Sequence, residues 1–346
     1  MTSDMILLVD FDETITVEDT LHLVADAAYQ AHANDDAASD DAIPSWSHFS
    51  ETYMADYTAF AASYNVALAQ RTTIAAELAY LAALDSVEEA SVRRVEQSRL
   101  FRGVTSADLT TQALRVRLQP GVGAVLRRCR EEMHMRIGVV SVNWSGLFIH
   151  EVLRLNGICS DDDEDDGLQI FCNDIDLDTA GRGTGLLTTG SFCMRTGAHK
   201  AELLAAIRAS PFTASREDIA TQLANSRLHG TLNTGTDDIS ITRRPKIIYI
   251  GDSTGDLAPL LKADVGVILG DKKSLRDTCA RIGIDIRTLD TRGVEGDRRL
   301  VSNRRSSSSL HDGAADDAVR SRVLYSISSW HDIPSSGYFG RSSGAF

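Results

Sequence analysis

Two carboxylates one residue apart end the first apolar run of this chain. In MILLVDFDETIT, residues 5–16, five apolar residues lead into Asp10 and Asp12, with the hydroxyl of Thr14 just beyond. Later apolar runs end in more chemistry: Ser141 follows RIGVV, and Asp252 and Asp256 follow the strand-like IIYIG in KIIYIGDSTGD. Lys200 lies between these two runs, near the start of the helical stretch HKAELLAAIRAS. Carboxylates gathered at one edge repel one another unless they share a cation, and an oxygen-only set suits Mg²⁺. A metal and a phosphate would complete such a site. Taken singly, each residue has a plainer use. Asp10 and Asp12 could merely start a turn, Ser141 could cap a helix, Lys200 could be solvated, and GDSTGD could be a strand-to-helix turn. It is their order along the chain that favours chemistry.

These residues need elements to carry them to one place. The run at residues 5–10 is a short, continuously apolar strand, as expected inside a parallel sheet covered on both faces. From Thr20 to about Phe101 the pattern turns helical, with apolar residues such as Leu68, Ile74, Leu78 and Leu81 spaced for a helix face. This helical unit is broken at HANDDAASDDAIPS, a solvated loop. An α/β rhythm returns near residue 117. RIGVVSV reads as a strand, 147–155 as a helix, LQIFCNDIDLD as one strand and TAGRGTG as a hairpin turn. KIIYIGDS, GDLAPLLKA, VGVIL and 274–282 then alternate strand and helix. Alternation of this kind predicts a doubly wound, Rossmann-like parallel sheet with ligands beyond the carboxyl ends of its strands.

The remaining segments read as follows. Residues 209–243 are polar and aperiodic, a surface insertion expected to be partly disordered. The acidic run at 161–166 is a solvated loop with no ligand role. Gly181, Gly183 and Gly185 lack the spacing of a phosphate loop and read as a turn. Residues 296–318 are Arg/Ser/Asp-rich and expected to be flexible, whereas VLYSISSWHDI is apolar enough to pack back on the core through Val323, Leu324, Ile327 and Trp330.

The chain has 346 residues, is 43% hydrophobic and carries a formal net charge of -14. That size supports a full α/β core with a second, smaller domain. An acidic balance offers no footprint for nucleic acid and no polybasic patch for a membrane. Five scattered cysteines, never in a CxxC arrangement, fit neither a disulfide framework nor a zinc site. With no long apolar run and no leader-like start, a cytoplasmic location is expected. The oligomeric state is not legible.

DFDET, then a serine at a strand end, then a lysine, then GDSTGD resembles the motif set of the haloacid dehalogenase (HAD) superfamily, specifically its phosphatases. The resemblance covers residues 5–16 and about 117–290. It implies a HAD core at 1–16 and 117–295, an inserted α-helical cap at 17–116 of the phosphoserine phosphatase kind, and a C-terminal segment, 319–346, packed on the core. It also implies roles. Asp10 would be the nucleophile and a metal ligand, and Asp12 the general acid and then base, lending the metal its backbone carbonyl. Ser141 and Lys200 would hold the phosphoryl group, Asp252 would ligate Mg²⁺, and Asp256 would complete or support that ligation. A dehalogenase fits less well, because Asp12 and Thr14 complete the phosphatase form of the first motif. SVNWSGLFIHEVL, CNDIDLD, YIGDSTGDLAPLLKADVGVIL and LYSISSWHDI are further similar to the phosphatase half of plant thiamine-salvage proteins and to fungal HAD-like proteins.

That likeness implies a small phosphorylated metabolite as substrate, with thiamine monophosphate or an aminopyrimidine phosphate first and phosphoserine second. A catalytically idle phosphometabolite-binding protein is the reading outside enzymes. The phosphoserine phosphatase pattern places a substrate-binding acid at the position of Asp19, which would meet a substrate cation; Asp19 is equally suited to capping the helix that follows.

Overall fold

The structure, a computed structural model, describes residues 5–34, 43–160, 168–188, 192–210, 214–229, 245–289 and 323–335. Its strands in chain order are β1 (Met5–Val9), β2 (Arg136–Val140), β3 (Leu168–Phe171), β4 (Asp174–Leu177), β5 (Gly183–Thr188), β6 (Lys246–Gly251), β7 (Val265–Leu269), β8 (Asp285–Thr288) and β9 (Val323–Ile327). Seven of them form one parallel sheet in the order β3-β2-β1-β6-β7-β9-β8, and β4 and β5 pair as an antiparallel hairpin. The central strands are apolar throughout because both faces are covered. On β1, Leu7 and Val9 join one buried cluster while Ile6 and Leu8 join the other, the two-residue alternation that a pleated strand imposes. The α/β Rossmann-like class expected from the sequence is the one observed.

Between β1 and residue 116 the described residues form five α-helices: α1 (Leu21–Ala33), α2 (Trp46–Ser63), α3 (Ile74–Ala83), α4 (Asp85–Gln97) and α5 (Ser106–Ala113). They are not packed as a separate body. Leu23, Val24, Ala27, Leu109 and Ala113 of α1 and α5 share a cluster with Ile137 and Val139 of β2. Ile74, Leu78 and Leu81 of α3 lie against the cluster on the opposite face. After these come α6 (Val122–Glu131), α7 (Gly146–Leu155), α8 (Gly197–Ala209), α9 (Arg216–His229), α10 (Leu257–Lys262) and α11 (Lys273–Arg281), with a short turn of helix at Asp332–Ser335.

Two expectations need correction and a third is sharpened. LQIFCNDIDLD is two strands in two different sheets, broken at Cys172 and Asn173, where the Asn173 amide bonds neighbouring loops instead of a ladder. The stretch 209–243 is not wholly irregular: 216–229 is α9, anchored by buried Ile219, Ala220 and Leu223. Its start is fixed by reciprocal hydrogen bonds between Ser215 and Asp218, a capping box written as Ser-x-x-Asp. The third concerns the tail. Residues 323–327 pack into the core as expected, and they do so as β9 inside the sheet, between β7 and β8, with Leu324, Ile327 and Trp330 buried and Val323 half-buried. The acidic run at 161–166, residues 230–243 and the segment 296–318 lie outside the described residues. Among the described residues no helix is long and apolar enough to cross a membrane.

Candidate active site

The chain leaves β1 for β2 on one side, while β6 lies on the other, so the carboxyl ends of β1 and β6 flank the crevice where parallel sheets bind ligands. Asp10 follows β1 and Asp252 follows β6, and the Asp10 N–H donates to the Ile250 carbonyl at 2.9 Å. The Thr14 hydroxyl lies 3.4 Å from Asp10 Oδ2 and 3.1 Å from Asp252 Oδ1, able to donate to either. Lys200, on the first turn of α8, reaches in from one side. Its Nζ donates to Asp10 Oδ1 at 2.6 Å and to Asp256 Oδ1 at 2.8 Å.

Asp256 ends a 3₁₀ turn at Thr254–Asp256 and also accepts from the Tyr249 hydroxyl, from Ser253 Oγ and from the N–H groups of Asp252 and Ser253. With so many donors already on it, Asp256 mainly anchors Lys200 and the turn. Two glycines make this approach possible. A Cβ on Gly251 would sit 2.5 Å from Asp256 Cγ, and one on Gly197 would sit 2.2 Å from the Gly255 carbonyl oxygen, driving α8 off the turn.

Asp12 faces elsewhere. Its Oδ1 accepts from the Thr20 N–H at 2.8 Å and the Thr20 hydroxyl at 2.5 Å, and its Oδ2 accepts from Asn143 Nδ2 at 3.3 Å. The acid is therefore held jointly by the start of α1 and the loop after β2. Ser141, buried at the end of β2, accepts the Asn143 N–H on its Oγ at 3.0 Å. Asn173 ties that loop to the one leading into α8: its Nδ2 faces the carbonyls of Val142, Asn143 and Met194, and its Oδ1 accepts the Met194 N–H. Asp19 is exposed, and its Oδ1 accepts the Leu21 N–H at 3.0 Å from one residue ahead of Thr20, which occupies the N-cap position of α1.

Sequence reasoning missed Thr20, Asn143, Asn173 and Lys272. Lys272 lies between β7 and α11, and its Nζ donates to Asp252 Oδ2 at 2.6 Å and Glu13 Oε2 at 2.5 Å. The strand end it follows was the available signal.

Electrostatics sort the acids. Burial, then repulsion from Asp256, holds the Asp10 carboxyl well above the usual carboxylate range, against the pull of Lys200. Asp252 is raised by burial against Lys272. For Asp256, burial is outweighed by Lys200 and the carboxyl sits below its ordinary value. Burial pulls Lys200 down, but Asp10 and Asp256 more than offset it, so its ammonium stays charged. Burial, then the Asp19 carboxylate, pushes Asp12 up to about 6 against the hydrogen bonds from Thr20 and Asn143. Carboxylate oxygens of Asp10, Asp252 and Asp256 all lie within 4.8 Å of one another. Buried oxygen donors this close, with more negative charge than the two lysines offset, fit a hard divalent cation such as Mg²⁺. The Asp12 carboxylate is not one of that group.

No family profile matches the chain. Its sequence is 26% identical over 289 residues to a CTO1 family protein of Schizosaccharomyces pombe, covering 83% of this chain and 89% of that one. It is 24% identical over 345 residues to the mitochondrial bifunctional TH2 protein of Arabidopsis thaliana, covering 96% of this chain but 49% of the plant protein, so the chain spans about half of that relative. Among solved structures, a HAD family hydrolase of Salmonella enterica superposes with a TM-score of 0.43 at 17% identity, covering 80% of this chain and 66% of that one. A substrate-bound phosphoserine phosphatase gives 0.42 at 13%, covering 80% and 91%. With Asp10 and Asp252 at the switch point of a parallel sheet, and Ser141 and Lys200 brought in by β2 and α8, the chain has an α/β Rossmann-like fold and a sequence similar to the CTO1 family and TH2 proteins.

Proposed function

We propose that this protein is a Mg²⁺-dependent phosphomonoesterase that works through an aspartyl-phosphate on Asp10. The observation that carries the reading is Lys200, whose ammonium bridges Asp10 and Asp256 beside Asp252. Asp10 attacks phosphorus, the ester P–O bond breaks, and the leaving alkoxide takes a proton from Asp12. Asp12 then removes a proton from water, which attacks the aspartyl-phosphate and releases phosphate. Splitting one displacement into two is what a carboxylate nucleophile contributes. The Asp12 pKa near 6 leaves a proton available for the first half and a base for the second.

Lys200 and the Ser141 hydroxyl, whose oxygen already accepts from Asn143, give their remaining donors to the phosphoryl oxygens. Asp10, the Asp12 carbonyl and Asp252 would hold Mg²⁺, with Asp256 in support; when bound, the ion neutralises charge on the transferring group.

The five-helix insertion serves as the cap that selects the substrate, a small phosphorylated metabolite. Thiamine monophosphate or an aminopyrimidine phosphate is the leading class, supported by the sequence resemblance and by an acid at Asp19 near enough to raise Asp12; phosphoserine is second. Hydrolysis of p-nitrophenyl phosphate that appears with Mg²⁺ and disappears with chelator is the expected result, followed by a panel of phosphorylated metabolites. No turnover of any phosphate ester with Mg²⁺ would contradict the reading and leave an idle binding protein.

A further inference from the structure

The C-terminal segment does more than complete the sheet. Trp330 is fully buried, and its indole Nε1–H donates to the backbone carbonyl of Thr14 at 2.9 Å. Thr14 is itself fully buried, and its hydroxyl stands between Asp10 and Asp252. Three residues upstream of Trp330, the Ile327 carbonyl accepts the Gly270 N–H at 2.9 Å, at the start of the loop that delivers Lys272 to Asp252 and Glu13. On the other side of the first motif, the His331 ring packs against Gly121, where a Cβ would lie 2.7 Å from it. One short segment therefore touches the backbone of the loop after β1 at Thr14, of the loop before Lys272 at Gly270, and of the turn into α6 at Gly121.

From this we infer that Trp330 is a positioning residue for the divalent-cation site: its indole N–H fixes the Thr14 carbonyl, and through it the hydroxyl that sets the relative orientation of the Asp10 and Asp252 carboxylates. A buried carbonyl requires a partner, so losing the indole N–H forces the loop at residues 10–16 to move in search of one. The inference rests on the proposed Mg²⁺ site.

The test is calorimetric titration of the full-length protein with Mg²⁺ alone. Trp330→Phe keeps most of the apolar packing and removes the donor; Mg²⁺ binding is expected to weaken about fivefold or more, as loss of one buried hydrogen bond would produce. In p-nitrophenyl phosphate hydrolysis the same variant should need more Mg²⁺ and show a lower kcat with little change in KM. Leu324→Val, which trims β9 of the same segment but in the cluster on the other face of the sheet, serves as the control for stability alone and should bind Mg²⁺ as the wild type does.

If Trp330→Phe does not fold, replacement of Trp330 by β-(3-benzothienyl)alanine, which has nearly the same shape with sulfur in place of N–H, carries the same expectation. Wild-type Mg²⁺ affinity in either Trp330 variant would overturn the inference while leaving the proposed function standing. Absence of Mg²⁺ binding by the wild type would overturn both.

Discussion

Replacing Asp10 by Asn keeps the side-chain shape beside Lys200 but removes the nucleophile, so turnover should fall by roughly three orders of magnitude or more while circular dichroism is unchanged. Asn143→Ala is subtler. It removes the Nδ2 bond to Asp12, worth roughly 1 kcal/mol, and should lower kcat about fivefold, more for alkyl than for aryl phosphates because the poorer leaving group needs the proton more. Asp19→Asn can still accept from the Leu21 N–H, so any effect reports charge. We expect KM to rise about tenfold for an amine- or thiazolium-bearing phosphate and to stay unchanged for a neutral sugar phosphate; unchanged KM for both would make Asp19 a helix cap only. Asp10, Asp12, Ser141, Asp252 and Asp256 could be singled out because their types recur at strand ends in order, and Lys200 because it opens the helix between the second and third of those strands. Asn143, Asn173 and Thr20 were not, since a polar residue in a loop carries no mark of the distant group it will bond.

At the level of elements, the strands could be read where burial on both faces left an uninterrupted apolar run, as in β1, β6 and β7. Reading failed where tertiary bonds overrode the run. Asn173 cuts LQIFCNDIDLD in two by bonding three carbonyls outside any ladder, and α9 carries too few apolar residues for its period to show. The inserted helices are fastened to the body by Asp85, at the start of α4, which accepts two hydrogen bonds from the Arg195 guanidinium at 2.7 and 2.8 Å. Those bonds from Arg195 hold the Asp85 carboxyl below its ordinary value against burial. A depressed folded pKa means that the pair stabilises above the unfolded carboxylate pKa of about 3.9 and that this contribution is lost as pH falls through the lower folded value. With the Asp85 side chain 33% exposed, screening limits the pair to about 1 kcal/mol. Asp85→Asn should therefore melt a few degrees below wild type between pH 5 and 8, and the gap should close below about pH 4; a gap independent of pH would show that the ion pair is not its source.

For the molecule as a whole, the C-terminal segment decides whether the sheet exists as drawn. Leu324, Tyr325, Ile327 and Trp330 are buried, and at roughly 1.5 to 3 kcal/mol each their burial is comparable with the net stability of a typical domain, about 5 to 15 kcal/mol. A chain ending at residue 296 should consequently lose cooperative melting or fall out of solution, and a soluble truncated protein with an unchanged Tm would contradict the placement of β9. The apolar character of this segment was legible, but its place between β7 and β8 was not, because pairing order is a property of the whole sheet.

What the complete fold achieves is to bring residues as far apart as Asp10, Lys200 and Asp252 together at the carboxyl ends of β1 and β6, where the proposed reaction needs them. The most direct measurement of that claim is mass spectrometry of the protein quenched during turnover of p-nitrophenyl phosphate with Mg²⁺, using Asp12→Asn to slow hydrolysis of the intermediate, followed by borohydride reduction. The account predicts homoserine at position 10 and nowhere else. Turnover with no modification at Asp10, or with the modification on another residue, would contradict it.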